Sequence, residues 1–222
     1  MGGAASSAYE EKRAEALARF SPRVKEVYGR FLQWLILTGV SEQALKVGDF
    51  APDFLLPNAQ GRLVSSQRLR QSGPLVLSFF RGSWCPFCTA ELCALQSALP
   101  GLTALGAHLL AITPDTCDLP REFKRSQGLE FEILSDVDYG VGLAFGVIFS
   151  PPLEVREYYK ERGILLPERH GSQSWMMPIP ATYVVDQDGR ITDAYVEADF
   201  TLRMDAGEIV ERVRRLGARA AR

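Results

Sequence analysis

The sequence lacks an apolar segment long enough to cross a bilayer, and it lacks an excess of either charge. Its longest apolar run, residues 31–40, is interrupted by Gln33 and Thr38 and is far shorter than the roughly 20 residues of a membrane-spanning helix. The formal net charge is only -2. Because nucleic-acid-binding domains usually carry a basic excess, we expect neither a nucleic acid nor a membrane as a partner.

The sequence also lacks the spaced cysteines of a secreted disulfide framework. Cys85, Cys88 and Cys93 are clustered within one short segment, and the fourth cysteine, Cys117, is expected to be a free thiol in a loop or at a helix start. Clustered cysteines fit a reducing compartment with reactive thiols. The first residues lack the positive start and apolar middle of a secretory signal. We therefore expect a cytoplasmic protein.

Residues 74–93 predict a buried strand, a tight glycine turn and a helix that opens on a Cys-x-x-Cys pair. Pro86 occupies the expected first helical position, because proline needs no N–H partner there and its fixed φ suits a helix. The helix dipole and unpaired N–H groups favour an anion, so we expect a lowered pKa at Cys85 or Cys88. Helical residues three apart lie within disulfide range, whereas a bridge between Cys88 and Cys93 requires unwinding.

The order of the remaining segments predicts an α/β fold. Residues 8–37 predict two helices separated by a Ser-Pro pair, and the apolar stripe of the second helix either packs on the main domain or forms a dimer contact. A small hairpin comes next, and strands then alternate with helices, which indicates a sheet with a parallel core. Residues 146–178 look like an insertion with one short helix. We expect a helical extension over residues 1–45 and one domain over residues 46–222.

Three blocks resemble, in the right order, the peroxiredoxins of the AhpC/TSA family. Residues 47–54 look like the family's opening hairpin, residues 78–88 resemble its active-site strand and turn, and residues 181–190 resemble its Thr-x-x-x-Asp-x-x-Gly hairpin. The resemblance implies a thioredoxin-like mixed central sheet flanked by helices. It also implies a peroxide substrate, a thioredoxin-like or low-molecular-weight thiol as reductant, and a homodimer.

The active-site turn differs from the family pattern Pro-x-x-x-Thr-x-x-Cys. Equal spacing places the family's peroxidatic cysteine on Cys88, its threonine on Cys85 and its proline on Arg81. The family's essential arginine falls on Pro180. In the family, the threonine and the arginine bind and polarise the peroxide oxygens. We expect Arg81 to lower the pKa of the thiols.

The same turn also resembles thioredoxins. Trp84 opens a Trp-Cys-x-x-Cys sequence, and Pro180 resembles the cis-proline that faces the thioredoxin disulfide. A cis X-Pro bond leaves the preceding backbone groups free to pair with an extended substrate. We therefore expect Trp84 and Pro180 to contact the substrate.

These features favour a thiol-dependent peroxidase that reduces hydrogen peroxide or organic hydroperoxides. In the expected mechanism, Cys88 attacks the peroxide and becomes a sulfenic acid, and Cys85, or Cys93 after unwinding, closes a disulfide. Two alternatives are a thiol-disulfide oxidoreductase in which Cys85 attacks a disulfide first, and a non-enzymatic redox sensor or binding module. Zinc at the three cysteines lacks a fourth ligand, with His170 the nearest candidate. We expect no metal and no other cofactor.

Overall fold

The computed structural model describes residues 3–116 and 118–220, with side chains described over 8–116 and 118–217. The helices are α1 (Gly3–Ala18), α2 (Pro22–Thr38), α3 (Ser66–Arg70), α4 (Pro86–Ala104), α5 (Asp118–Gln127), α6 (Gly140–Ala144), α7 (Leu153–Glu161), α8 (Leu166–Arg169) and α9 (Ala206–Ala220). The strands are β1 (Leu55–Pro57), β2 (Leu63–Ser65), β3 (Leu75–Phe79), β4 (His108–Thr113), β5 (Glu132–Ser135), β6 (Ile148–Phe149), β7 (Met177–Pro178), β8 (Ala181–Val185) and β9 (Ile191–Val196). Cys117 lies outside the described residues.

The central sheet has the strand order β5-β4-β3-β8-β9. β3 and β4 are parallel, as are β4 and β5, whereas β8 pairs antiparallel with both β3 and β9. The predicted mixed central sheet is therefore confirmed. Every residue of β3 is buried, as its nearly continuous apolar sequence predicts for a strand covered on both faces. The carboxyl end of β3 consequently leads into the turn before α4 from the middle of the sheet.

The helix after β3 begins where the sequence predicts. Pro86 is its first residue and Cys85 is its N-cap. The helix continues to Ala104 and contains Pro100, although the Pro-Gly pair suggests an earlier end. A proline inside a helix costs about 3 kcal/mol, and the fully buried Leu102 shows that the last turn is held by the core.

The two predicted amino-terminal helices are present and lie against the sheet domain. Ser21 caps α2 by accepting a hydrogen bond from the Val24 N–H, which satisfies one of the unpaired donors of the first turn. α2 ends at Gly39, whose φ of 61° is left-handed. Its apolar stripe is buried, and Phe31 packs against Phe200 with ring centroids 5.4 Å apart. The stripe therefore packs on the body of the same chain.

The predicted insertion is closed at its base by β6 and β7, which pair antiparallel. It contains the expected helix, α7, and a second helix, α8, whose four residues are too few for a helical pattern in the sequence. The division into an extension over residues 1–45 and a domain over residues 46–222 stays a prediction. Over the described part of the chain, no helix combines the length and apolar character needed to cross a membrane.

Candidate functional site

The turn between β3 and α4 depends on a glycine. Gly82 has a φ of 138°, a conformation that a residue with a Cβ rarely adopts. A Cβ at this position would lie 2.6 Å from Nε1 of Trp84 and 2.9 Å from Oδ2 of Asp115. Only glycine therefore allows the Trp84 ring and the Asp115 carboxylate to close around the turn.

A buried carboxylate anchors this turn to the insertion. Asp115 accepts a hydrogen bond from the Ser83 backbone N–H at 3.1 Å. The Arg169 guanidinium donates to both Asp115 oxygens, at 3.1 and 2.9 Å, and to Ser83 Oγ at 2.6 Å. The sequence analysis missed both residues. Asp115 follows the carboxyl end of β4, the parallel neighbour of β3, and that position is a signal for a site residue.

Three cysteines lie on or next to α4 as free thiols. Cys85 and Cys88 are buried, with 1% and 0% of their surface exposed, so the structure brings the predicted pair together at the helix start. Cys93 is half-buried, and its sulfur lies 3.7 Å from Oε1 of Gln127. Because α4 is continuous through Cys88 and Cys93, a bridge between them requires unwinding, as the spacing predicts.

The surroundings of the two buried thiols favour the ionised form of only one of them. Burial by itself would raise the pKa of Cys85, but a hydrogen bond from the Cys88 thiol and the positive charges of Arg81 and Arg203 lower the pKa of Cys85 to about 5. Burial, followed by the interaction with Cys85, raises the pKa of Cys88. The surroundings therefore favour one thiolate in this pair, as the helix start predicts, and Cys85 is the thiol whose pKa is lowered.

Arg81 is a buried cation enclosed by aromatic rings. Its guanidinium carbon lies 4.2 Å from the ring centroid of Phe200, 4.6 Å from that of Trp84 and 5.7 Å from that of Tyr159. It donates a hydrogen bond to the Tyr159 hydroxyl. Its Nε has no hydrogen-bond acceptor among the described residues. Arg81 therefore carries one buried N–H donor that the described residues leave unpaired, and no motif in the sequence predicts the aromatic enclosure.

A second buried guanidinium stands beside Cys88. Arg203 Nε donates to Oε2 of Glu91 at 2.5 Å, and Nη2 lies 3.6 Å from the Cys88 sulfur. Both charged side chains are almost fully buried, with 3% and 4% exposed. Arg203 lies in the connection between β9 and α9, where no motif marks it. The structure thus places an arginine next to Cys88, although the resemblance puts Pro180 at the position of the family's arginine.

The expectation of a cis-proline is wrong. None of the described peptide bonds is cis, including the one before Pro180. The preceding Ile179 N–H donates to the Val147 carbonyl at 2.8 Å, so the insertion already uses the backbone group that a substrate would need. Pro180 is buried directly before β8, whose Ala181 pairs with Phe79 at the end of β3.

A cavity of about 200 Å³ opens onto the turn. Its walls come from α2, α7 and the segment before α9, and they are mainly aromatic and aliphatic. Cys85, Arg81 and Trp84 line it, whereas Cys88, Cys93 and Pro180 do not. A small molecule in this cavity therefore lies next to Cys85 and Arg81.

The histidine considered as a metal ligand belongs to a separate polar cluster. His170 is buried, and its Nδ1 lies 3.0 Å from the Tyr139 hydroxyl. Burial lowers the pKa of His170 to about 4 against the opposing effect of Asp115. In the described ranges, no group of three His, Cys, Asp or Glu side chains has an arrangement that could hold a metal ion.

Comparison with known proteins identifies the family. The model described as the AhpC/TSA family matches residues 47–194. A putative peroxiredoxin of Mycobacterium tuberculosis strain H37Rv is 32% identical over 150 residues, which cover 68% of this chain and 84% of that protein. Peroxiredoxin Bcp of Escherichia coli K12 is 34% identical over 103 residues, covering 46% and 65% of the two chains.

Solved structures confirm the fold. The crystal structure of peroxidoxin BcpB from Mycobacterium tuberculosis aligns with a TM-score of 0.62 at 24% identity, over 78% of this chain and 98% of that one. Peroxiredoxin Q from Xanthomonas campestris aligns with a TM-score of 0.58 at 20% identity, with the same coverage of 78% and 98%. This chain therefore belongs to the AhpC/TSA family and is a thiol-dependent peroxidase of the peroxiredoxin type.

Proposed function

We propose that Cys85 is the thiol that attacks the peroxide and that Cys88 resolves the product. One observation carries this assignment: Cys85 is among the residues that line the cavity, whereas Cys88, which is buried like Cys85, is not. The lowered pKa of Cys85 supports it, because the thiolate is the nucleophilic form of cysteine. The resemblance alone assigns the attack to Cys88, so the proposal exchanges the two roles.

In the first step, the Cys85 thiolate attacks the terminal oxygen of a hydroperoxide. An S–O bond forms while the O–O bond breaks, so one pair of electrons passes from sulfur to the peroxide and Cys85 becomes a sulfenic acid. The leaving oxygen takes the proton of the Cys88 thiol and departs as an alcohol, or as water from hydrogen peroxide. Cys88 is thereby left as a thiolate beside the oxidised sulfur.

In the second step, the Cys88 thiolate attacks the sulfenic sulfur of Cys85. A disulfide forms and hydroxide leaves, so the oxygen removed from the peroxide ends in water. The positions of the two residues, at the N-cap and in the first turn of α4, allow a bridge within disulfide range. We assign no resolving role to Cys93. An external thioredoxin-like or low-molecular-weight thiol then reduces the disulfide.

Arg81 and Arg203 have separate roles in this mechanism. Arg81 lines the same cavity as Cys85, and a preorganised positive charge there stabilises the negative charge that develops on the leaving oxygen. Arg203 lies 3.6 Å from the Cys88 sulfur and stabilises the thiolate that the first step leaves there. Trp84 forms part of the cavity wall, and Pro180 supports the end of β3 without contacting the substrate.

The assignment is tested with Cys85→Ser, Cys88→Ser and Cys93→Ser, each reduced and mixed with one equivalent of hydrogen peroxide. Intact mass and a sulfenic-acid trap report the product. We expect Cys88→Ser to accumulate a sulfenic acid on Cys85, Cys85→Ser to lose the fast reaction, and Cys93→Ser, the matched control, to form the internal disulfide. If Cys85→Ser still reacts rapidly and its sulfenic acid is on Cys88, the roles are reversed.

A further inference from the structure

The cavity at Cys85 adjoins a second cavity. The second cavity has a volume of about 310 Å³ and shares five wall residues with the first. The shared residues are Phe20, Val24, Pro86, Tyr158 and Arg162. The two spaces are therefore neighbours; we refer to them together as the passage, and Cys85 and Arg81 line only its first cavity.

The charges along this passage are all positive. Arg81 lines the first cavity, Arg162 lines both cavities and Arg19 lines the second one, and neither lining contains an Asp or Glu residue. Arg19 and Arg162 form no ion pair with any described residue, whereas the nearby Arg23 is paired with Glu161. The Arg162 guanidinium lies 5.5 Å from the ring centroid of Tyr158, which orients it over the apolar wall. The mouth of an otherwise apolar passage thus presents two unpaired cations.

Much of this passage is built from residues outside the family match. Residues 20–31, from the α1–α2 connection and the first half of α2, precede residues 47–194, and Phe200 follows them. The amino-terminal helices therefore add a wall to the peroxidase site. A wall of this kind changes which molecules fit without changing the thiol chemistry.

We propose that this passage selects an apolar hydroperoxide that carries a carboxylate at the end remote from the peroxide group. The apolar body lies between α2 and α7, the peroxide group meets Cys85 and Arg81, and the carboxylate lies at the mouth beside Arg19 and Arg162. The substrate assignment rests on the proposed function, since the bond changes are those of the Cys85 attack: the O–O bond breaks, the sulfur is oxidised and the carboxylated alcohol leaves.

The binding preference is tested without any redox step. The full-length reduced protein is titrated with para-isopropylbenzoate and with the neutral para-isopropylbenzyl alcohol, and tryptophan fluorescence reports saturation. We expect the anion to bind about three- to tenfold more tightly, because each exposed ion pair adds a modest amount, and we expect the preference to decline at high salt. Equal affinity for the two ligands, or no saturable binding, would overturn the proposal.

Variants identify the residues responsible. The double variant Arg19→Gln/Arg162→Gln is expected to abolish the preference for the anion. The control Arg125→Gln also removes an arginine charge, but from α5 and outside both cavities, and it should retain the preference. An unchanged preference in the double variant would contradict the proposal.

The apolar wall is tested separately. Val24→Phe, which narrows the space shared by the two cavities, is expected to weaken both ligands about tenfold. Ile36→Phe, at a position 59% exposed on the same helix, serves as the matched control. Full affinity in Val24→Phe would mean that the ligands bind elsewhere and would overturn the proposal.

A kinetic measurement separates this proposal from the proposed function. Cumene hydroperoxide and its para-carboxylate are compared as oxidants of the reduced protein, and the carboxylate is expected to react about three- to tenfold faster. Rapid peroxide reduction without that preference would refute the selectivity and leave the peroxidase mechanism standing. If the protein binds para-isopropylbenzoate preferentially but reduces no peroxide, the binding preference of the passage is supported and the mechanism at Cys85 is refuted.

Discussion

The buried ion pair between Arg203 and Glu91 makes a sharp prediction about stability. Arg203→Met keeps an apolar side chain of similar length and removes the guanidinium. Glu91 is then left with Ser78 and Thr182 hydroxyls at 3.4 and 3.5 Å as its remaining hydrogen-bonding neighbours. Removing one partner of a buried ion pair costs about 3–5 kcal/mol. Since whole domains are stable by about 5–15 kcal/mol, we expect a large but measurable loss.

Urea unfolding of the wild type, Arg203→Met, Glu91→Gln and the double variant measures this interaction as a double-mutant cycle. Adding Glu91→Gln to Arg203→Met should recover about 2 kcal/mol, because it removes the uncompensated charge that dominates the loss. A loss below about 1 kcal/mol in Arg203→Met, or strictly additive losses in the cycle, would refute the account of a buried, mutually dependent pair.

The pH dependence of the same variant has a defined sign. Burial raises the pKa of Glu91, and Arg203 is the main influence that opposes this rise. Without Arg203, the folded protein holds the Glu91 proton more tightly than the unfolded chain does. The contribution of Glu91 to stability is therefore greatest at low pH and declines as the pH rises through the folded-state pKa of Glu91. The loss of unfolding free energy in Arg203→Met, relative to the wild type, should therefore become smaller as the pH is lowered from 7 to 5. A loss that grows on acidification would contradict this reasoning.

Three further predictions follow from local features. Because the pKa of Cys85 is lowered to about 5, iodoacetamide should alkylate Cys85 in the reduced Cys93→Ser variant, as followed by peptide mapping, at a rate that falls only below about pH 6; a Cys85 rate that keeps rising toward pH 9 would contradict the assignment. Gly82→Ala should lower stability by about 1–3 kcal/mol, measured by thermal unfolding, and an unchanged midpoint would refute the close approach of Trp84. Ser21→Ala should cost about 1 kcal/mol in urea unfolding, and no change would show that the α2 cap is dispensable.

The parts of the site that the sequence predicts are those formed by neighbouring residues. The turn before α4, Pro86 at the helix start and the pairing of Cys85 with Cys88 all follow from short-range rules of helix geometry. Arg203 and Tyr159 could not be predicted in this way. Arg203 is 112 positions from its hydrogen-bond partner Glu91, and Tyr159 is 78 positions from its partner Arg81. Their roles depend on how α7 and the segment before α9 pack over the turn.

Pro180 shows the limit of matching by spacing. The match by spacing predicted that Pro180 is a cis-proline. In the structure, the Ile179 N–H is hydrogen-bonded to the insertion and the peptide bond before Pro180 is trans. Equal spacing from the strand assigns the attack to Cys88, whereas our proposal assigns it to Cys85. Access and charge distinguish the two thiols, and both depend on the tertiary contacts of Arg81 and on the cavity beside α2.

The central claim, that this chain is a peroxidase acting through Cys85, is tested most directly by stopped-flow tryptophan fluorescence of the reduced protein mixed with hydrogen peroxide. Trp84 adjoins the reactive cysteine in the chain and lines the same cavity, so oxidation should change its emission. We expect a second-order rate constant orders of magnitude above that of free cysteine, and loss of this rate in Cys85→Ser. A wild-type rate equal to that of free cysteine would contradict the claim.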